Sequence, residues 1–141
     1  MNPSDKQTIH DVLAANQLMV ISTTSPNDTP QSAVVGCGVT DDLKILFGTS
    51  SKSRKARNLK RSEFVSAVIG WAPTATAQIE GTVAELSKAD AEATCPDYFA
   101  NSPRARFFKD HPDERYFILS PSWIRLTNIT TQPWTIQEFK I

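Results

Sequence analysis

Phe47-Gly48-Thr49-Ser50-Ser51-Lys52-Ser53-Arg54-Lys55-Ala56-Arg57-Asn58-Leu59 is the stretch that decides how this chain reads. It follows the apolar run Leu43 to Phe47, which predicts a buried strand, and it ends in helix-forming residues. Ser51 is the expected N-cap, because a serine hydroxyl accepts from the amides of the first helical turn. Lys52, Arg54 and Lys55 then crowd the positive end of the helix macrodipole, where carboxylates are favoured. A bound anion resolves that conflict. Free amides, hydroxyls and cations converging on a helix N-terminus make a phosphate site. The alternative is a solvated basic helix after a serine-rich turn.

Composition narrows the field. A chain of 141 residues is long enough for one domain with a real core. Its 15 basic and 15 acidic residues cancel, so no general affinity for nucleic acid follows. The basic run 52–61 is a local feature. The polar start Met1-Asn2-Pro3-Ser4-Asp5-Lys6 lacks the apolar core of a signal peptide, and no apolar run nears the ~20 residues that span a bilayer. Cys37 and Cys95 form neither a metal-ligand spacing nor a disulfide framework. The expectation is a cytoplasmic protein that meets no membrane.

Working outward, Ser4 to Asn16 predicts a helix opened by a Ser4/Gln7 capping box. Leu18 to Thr24 and Gln31 to Val39 predict a hairpin across the turn 25–30. Gly36 and Gly38 around Cys37 suggest a bulge or a close backbone approach. Cys37 itself reads as a packing residue. Phe64 to Gly70 reads as a strand buried on both faces, and 71–74 as a loop. Thr76 to Leu86 is a long strand with Gly81 at a bend. Short helices follow from Ser87, around Pro96 and after Ser102, with Phe107 and Phe108 as expected anchors. Arg115 to Asn128 holds strand around Pro121, and Thr135 to Phe139 is a short edge strand. The fold class is mainly β with peripheral helices, a closed antiparallel barrel.

Three segments carry a family resemblance. Thr49-Ser50-Ser51-Lys52-Ser53-Arg54-Lys55-Ala56 with Asn58-Leu59 resembles the phosphate-binding segment of the pyridoxamine-5'-phosphate-oxidase-like flavoproteins. Ile69-Gly70-Trp71, followed by Gln78 to Leu86, resembles their fifth and sixth strands. Pro121-Ser122-Trp123-Ile124-Arg125 is similar to the closing strand of the general stress protein branch. The resemblance covers most of the chain from Leu18 onward. It implies the FMN-binding split barrel, a closed antiparallel barrel of six strands over 1–141. It also implies a homodimer with the cofactor at the subunit interface. Thr49, Ser50, Ser53, Arg54 and Lys55 would hold the FMN phosphate, and backbone at Val34 and Val35 would edge the isoalloxazine. Trp71 and Gln78 would reach the flavin of the other subunit.

Departures limit what the resemblance implies. Gln31-Ser32-Ala33-Val34-Val35-Gly36 lacks the Arg and Lys that the oxidase carries on this strand. The tail 131–139 lacks its Arg-x-His-x-Arg substrate signature. Oxidation of pyridoxamine 5'-phosphate is therefore not expected, and the deazaflavin F420 or haem stay open as cofactors. No Gly-x-Ser-x-Gly elbow, paired-carboxylate set or metal spacing is present, so a cofactor must carry any chemistry. The readings are an FMN-dependent oxidoreductase on an unidentified small molecule, or a flavin-, F420- or haem-binding module without turnover. A partner- or nucleic-acid-binding protein using the basic helix is disfavoured by net neutrality.

Overall fold

Alternation of buried and exposed side chains builds the sheet. The computed structural model describes residues 1–71 and 75–141; the reading of a loop at 72–74 lies outside them. In β1 (Leu18–Thr24) the residues Met19, Ile21 and Thr23 point inward, and the strand pairs antiparallel with β2 (Pro30–Val39). β3 (Ile45–Ser50) follows, with Ile45, Phe47 and Thr49 buried. It starts later and runs further than the expected Leu43 to Phe47. Leu43 sits in a left-handed turn (φ 63°), and Thr49 and Ser50 stay in the ladder by pairing with a later strand.

Helix α2 (Arg54–Arg61) begins two residues later than expected. Its N-cap is Ser53, whose Oγ accepts from the Ala56 amide at 3.2 Å. Ser51 is unavailable because it lies in a tight turn: the Ser53 amide donates to Ser50 O, and the Ser51 amide donates to Asp113 O at 2.7 Å. The first helix, α1 (Pro3–Ala14), likewise starts earlier than the expected Ser4/Gln7 capping box. Asn2 caps it by accepting from the Asp5 amide, and Pro3 takes the first helical position, where a missing N–H costs nothing.

β4 (Phe64–Ile69) pairs with β1 and with β5 (Thr76–Leu86). The expectation that β4 is buried on both faces is corrected: Val65, Ala67 and Ile69 are buried, whereas Phe64 is 68% exposed. Three short helices follow: α3 (Lys88–Thr94), α4 (Pro96–Asn101) and α5 (Pro103–Phe108). Tyr98, Phe99 and Ala105 anchor them, while Phe107 is exposed and anchors nothing. The long β6 (Glu114–Asn128) pairs with β5 and with β3, and the β3–β6 ladder closes a six-stranded antiparallel barrel in the order β3-β2-β1-β4-β5-β6. Strand β7 (Thr135–Lys140) adds to the outside of β6. The bend at Gly81 is a register shift between Glu80 and Gly81, and a side chain at Gly81 would collide with the Ser120 backbone.

The barrel interior holds Phe47 stacked on Phe117, with ring centroids 5.4 Å apart, among Ile21, Ile45, Ile79, Leu119 and Ile124. A second cluster, Leu46, Tyr98, Phe99, Tyr116 and Ile118, packs α3–α5 against the outer face of β3 and β6. Gly38 permits this close approach: a Cβ there would lie 2.9 Å from Tyr98 Cβ and 3.0 Å from Cys95 Sγ. Burial, and next the neighbouring Cys95, push the Cys37 thiol up to about 12. A thiol so protonated is packing material, since the thiolate is the nucleophile.

Candidate functional site

The closed barrel has a seam. β2 and β3 pair only over Cys37↔Phe47, Gly38↔Leu46 and Val39↔Ile45. Beyond that, β2 continues with β1 down to Pro30↔Thr24, and β3 continues with β6 to Ser50↔Glu114. The edge of β2 at Val34–Gly36 and the edge of β3 at Gly48–Ser50 therefore face each other without a ladder between them. Unpaired backbone amides and carbonyls of this kind are ready partners for a ligand edge.

Helix α2 closes one end of the seam and is tied to the barrel by its own polar groups. Asn58 is buried, and its side-chain amide donates to Thr23 Oγ1 and to Gln31 Oε1, both at 3.0 Å. Arg61 donates to Thr24 O and Ser25 O. These tethers aim the helix N-terminus at the end of β3. Thr49 Oγ1 donates to Ser53 Oγ at 3.2 Å, linking the last strand residues to the cap. Arg54 and Lys55 occupy the first turn; Arg54 is exposed, and neither side chain makes a hydrogen bond or ion pair within 4 Å among the described residues. Burial and the nearby Arg104 pull the Lys55 ammonium below its ordinary range, and Glu114 partly offsets them. Two cations on the first turn of the helix, neither in an ion pair among the described residues, suit a phosphate.

The structure thus brings Thr49, Ser50, Ser53, Arg54 and Lys55 together and sets Val34 and Val35 across the seam. Val34 is 51% exposed and Val35 points into the core. Trp71 and Gln78 stand elsewhere. The register runs Val34, Val20, Val68, Gln78 across β2, β1, β4 and β5 on the outer face. At ~4.8 Å per strand step, Gln78 lies roughly 14 Å from Val34 within one chain.

Sequence reasoning missed the floor and wall of the seam. Gly36 and Gly48 line a small cavity with Tyr98, Arg104, Phe108, Glu114 and Tyr116. A side chain added at Gly36 would meet only Gln17 O, at 3.9 Å, so the space above it is open. The Tyr116 hydroxyl is buried and has no partner among the described residues, and burial first, then Glu114, pushes it up to about 12. A wider groove of about 600 Å³ adjoins and shares Glu114 and Tyr116. The signal that could have found this wall was the pair of outward glycines on neighbouring strands. No group of three or more His, Cys, Asp or Glu residues that could hold a metal occurs among the described residues. No helix among them is long and apolar enough to cross a membrane.

Comparison with known proteins matches residues 5–128 to the family model described as pyridoxamine 5'-phosphate oxidase. A pyridoxine/pyridoxamine 5'-phosphate oxidase of Cyanothece sp. is 30% identical over 99 residues, which is 70% of this chain; the chain spans 45% of that relative's length. Among solved structures, a haem-binding protein from Mycobacterium smegmatis superposes with a TM-score of 0.81 at 15% identity, covering 99% of this chain and 59% of that one. A Clostridium acetobutylicum protein related to general stress protein 26 gives 0.76 at 15% identity, covering 100% and 97%. A pyridoxamine 5'-phosphate oxidase-related, FMN-binding protein from Nostoc punctiforme gives 0.69 at 13% identity, covering 100% and 97%. At these identities the structures establish the shared barrel.

Proposed function

Since the chain belongs to the pyridoxamine 5'-phosphate oxidase family, we propose that it is an FMN-binding flavoprotein and a flavin-dependent oxidoreductase acting on a small molecule. The observation that carries this reading is the open β2–β3 seam ending at the first turn of α2, where Arg54 and Lys55 have no anionic partner within salt-bridge distance among the described residues. The residues present fit the group. Ser53, Arg54, Lys55 and Thr49 would hold the phosphate, the backbone of Val34 and Val35 would meet the ring edge, and Gly36 leaves open space beside them. Bound FMN supplies the redox chemistry. The chain's own part is to bind and orient it: the cations fix the phosphate, and the barrel wall at Val35 and Phe47 keeps water from one side of the seam.

Phosphorylated pyridoxamine is a poor fit for the reacting partner. The tail 131–139 carries no Arg-x-His-x-Arg signature, so a substrate phosphate has no directed cations from it. Absorption spectra of the freshly purified protein, together with oxygen uptake on pyridoxamine 5'-phosphate, test the reading. A flavin band with no efficient turnover is the expected result. Turnover at about 10⁴ M⁻¹s⁻¹ or above would overturn the substrate exclusion, and a colourless protein that takes up no added FMN would overturn the flavin reading. A Soret or deazaflavin band would favour the alternative, a haem- or F420-binding module without turnover, to which the likeness to the mycobacterial haem-binding protein lends support.

A homodimer belongs to the same proposal, as does a cytoplasmic location. Leu18, Val34 and Phe64 are exposed on the outer face of β1, β2 and β4, beside half-buried Val20 and Val68. An apolar sheet face of this kind marks an interaction surface. A second copy on that face would bring its Trp71 and Gln78 toward the first copy's seam. The expected light-scattering mass at micromolar concentration is twice the 15.6 kDa chain. A single-chain mass sinks the shared site.

A further inference from the structure

Independently of the flavin reading, we propose a second small-molecule site at the open end of the barrel, a pocket for an aliphatic carboxylate. The chain of the ligand lies on an apolar floor, and its carboxylate sits between Lys60 and Arg115. The way α2 is fixed creates the space. Its eight residues span only about 12 Å. Its side-chain tethers all run to β1, β2 and the turn between them, from Asn58 to Thr23 and Gln31 and from Arg61 to Thr24 O and Ser25 O. A cavity of about 420 Å³ is left on the other side of the helix, against β5 and β6. Val83 and Phe117 form its floor, and both are core residues whose last exposed surface opens here. Ala56 and half-buried Leu59 line the helix side.

The rim supplies the charge. Lys60 follows Ala56 by one turn, so both stand on the same helix face. Arg115 reaches the rim from β6, where its Nη1 donates to Pro112 O at 2.9 Å and to Glu114 O at 3.0 Å. Those two bonds hold the guanidinium in place and leave its Nε and Nη2 without a partner among the described residues. Neither Lys60 nor Arg115 forms an ion pair among those residues, and Glu85, the one acid lining the pocket, is paired with neither. A cleft of this size at a barrel mouth, apolar inside with a few polar groups at the opening, has the usual form of a small-molecule site. A bare anion would leave the floor uncovered, and a neutral lipid would leave both cations unused. An aliphatic carboxylate meets both demands. None of the residues assigned to the flavin lines this pocket.

Calorimetric titration of the full chain with hexanoate, octanoate and octanol tests the assignment. Octanoate should bind about fifteenfold more tightly than hexanoate, because each buried methylene contributes about fourfold, or about 0.8 kcal/mol. Octanol, which has the same chain and no charge, should bind clearly more weakly than octanoate. Lys60→Glu turns an attraction at an exposed site into a repulsion, and it should weaken octanoate by about tenfold. The melting temperature of that variant should stay at the wild-type value, because the side chain is exposed and unpaired. Arg115→Gln should weaken octanoate as well, and it provides a second reading of the same rim. FMN should not displace octanoate. No octanoate binding in the millimolar range, equal affinity for octanoate and octanol, or full retention of affinity in both variants overturns the site. Displacement of octanoate by FMN overturns it too, and each of these outcomes leaves the flavin reading standing.

Discussion

Replacing Arg54 and Lys55 together by alanine should weaken FMN binding by about 10²- to 10⁴-fold. Charge-assisted hydrogen bonds contribute roughly 1.5–3 kcal/mol each, and about 1.4 kcal/mol is tenfold in affinity. Riboflavin should bind wild type and double variant almost equally, because it carries no phosphate. The fold should survive, since neither cation holds α2 in place. The Ser53 cap, the Asn58 bonds to Thr23 and Gln31, and Arg61 on the Thr24 and Ser25 carbonyls do that. Removing two cations from the positive end of a helix could only relieve repulsion in the empty protein. Fluorescence titration with both flavins, beside apo thermal melts, reads the result. Equal FMN affinity in wild type and double variant would show that the basic turn is a solvated face.

Much of the candidate site's layout was legible because its residues lie close together in the sequence. Thr49, Ser53, Arg54 and Lys55 lie within seven positions, so strand, turn and helix start follow from hydroxyls and charges read in line. The cap was misplaced by two residues for a reason local reading misses. The Ser51 amide is bound by Asp113, more than sixty positions away, and that bond keeps Ser51 in the turn. The wall of the seam was likewise out of reach. Tyr98, Arg104, Glu114 and Tyr116 belong to elements whose packing on β3 depends on Gly38 and Gly48 admitting them.

Burial shows the same division. Periodicity located β1, β2 and β5 to within a residue or two, since alternation is written into them. It misjudged β4, where the run of apolar residues conceals that Phe64 and Val68 face out. It also misjudged Phe107, because a helix of six residues offers too short a pattern to tell the packed ring from the exposed one. The outward apolar side chains of β4 belong to the face on which the dimer proposal rests. A strand reading of buried on both sides describes that face only with a second copy present.

The strand that delivers the site also carries the largest single stability effect expected from one residue. Phe47 is fully buried, stacks on Phe117, and lies two positions before Thr49 on the same side of β3. Phe47→Ala removes the ring and leaves a cavity bounded by barrel walls on every side, which relax little because each strand is held by two neighbours. Substitutions of this kind cost about 3–5 kcal/mol. For a chain of this length that corresponds to a fall in melting temperature of roughly 10–20 °C. Phe47→Leu, which retains most of the volume, should cost clearly less. Added FMN should raise the melting point of the alanine variant in the folded range, because ligand that binds only the native state stabilises by mass action. Urea unfolding of both apo variants and wild type measures the difference. A loss below about 1 kcal/mol for Phe47→Ala would mean that this ring does not sit in the barrel interior, and the register of β3 that places Thr49 and Ser50 at the seam would fall with it.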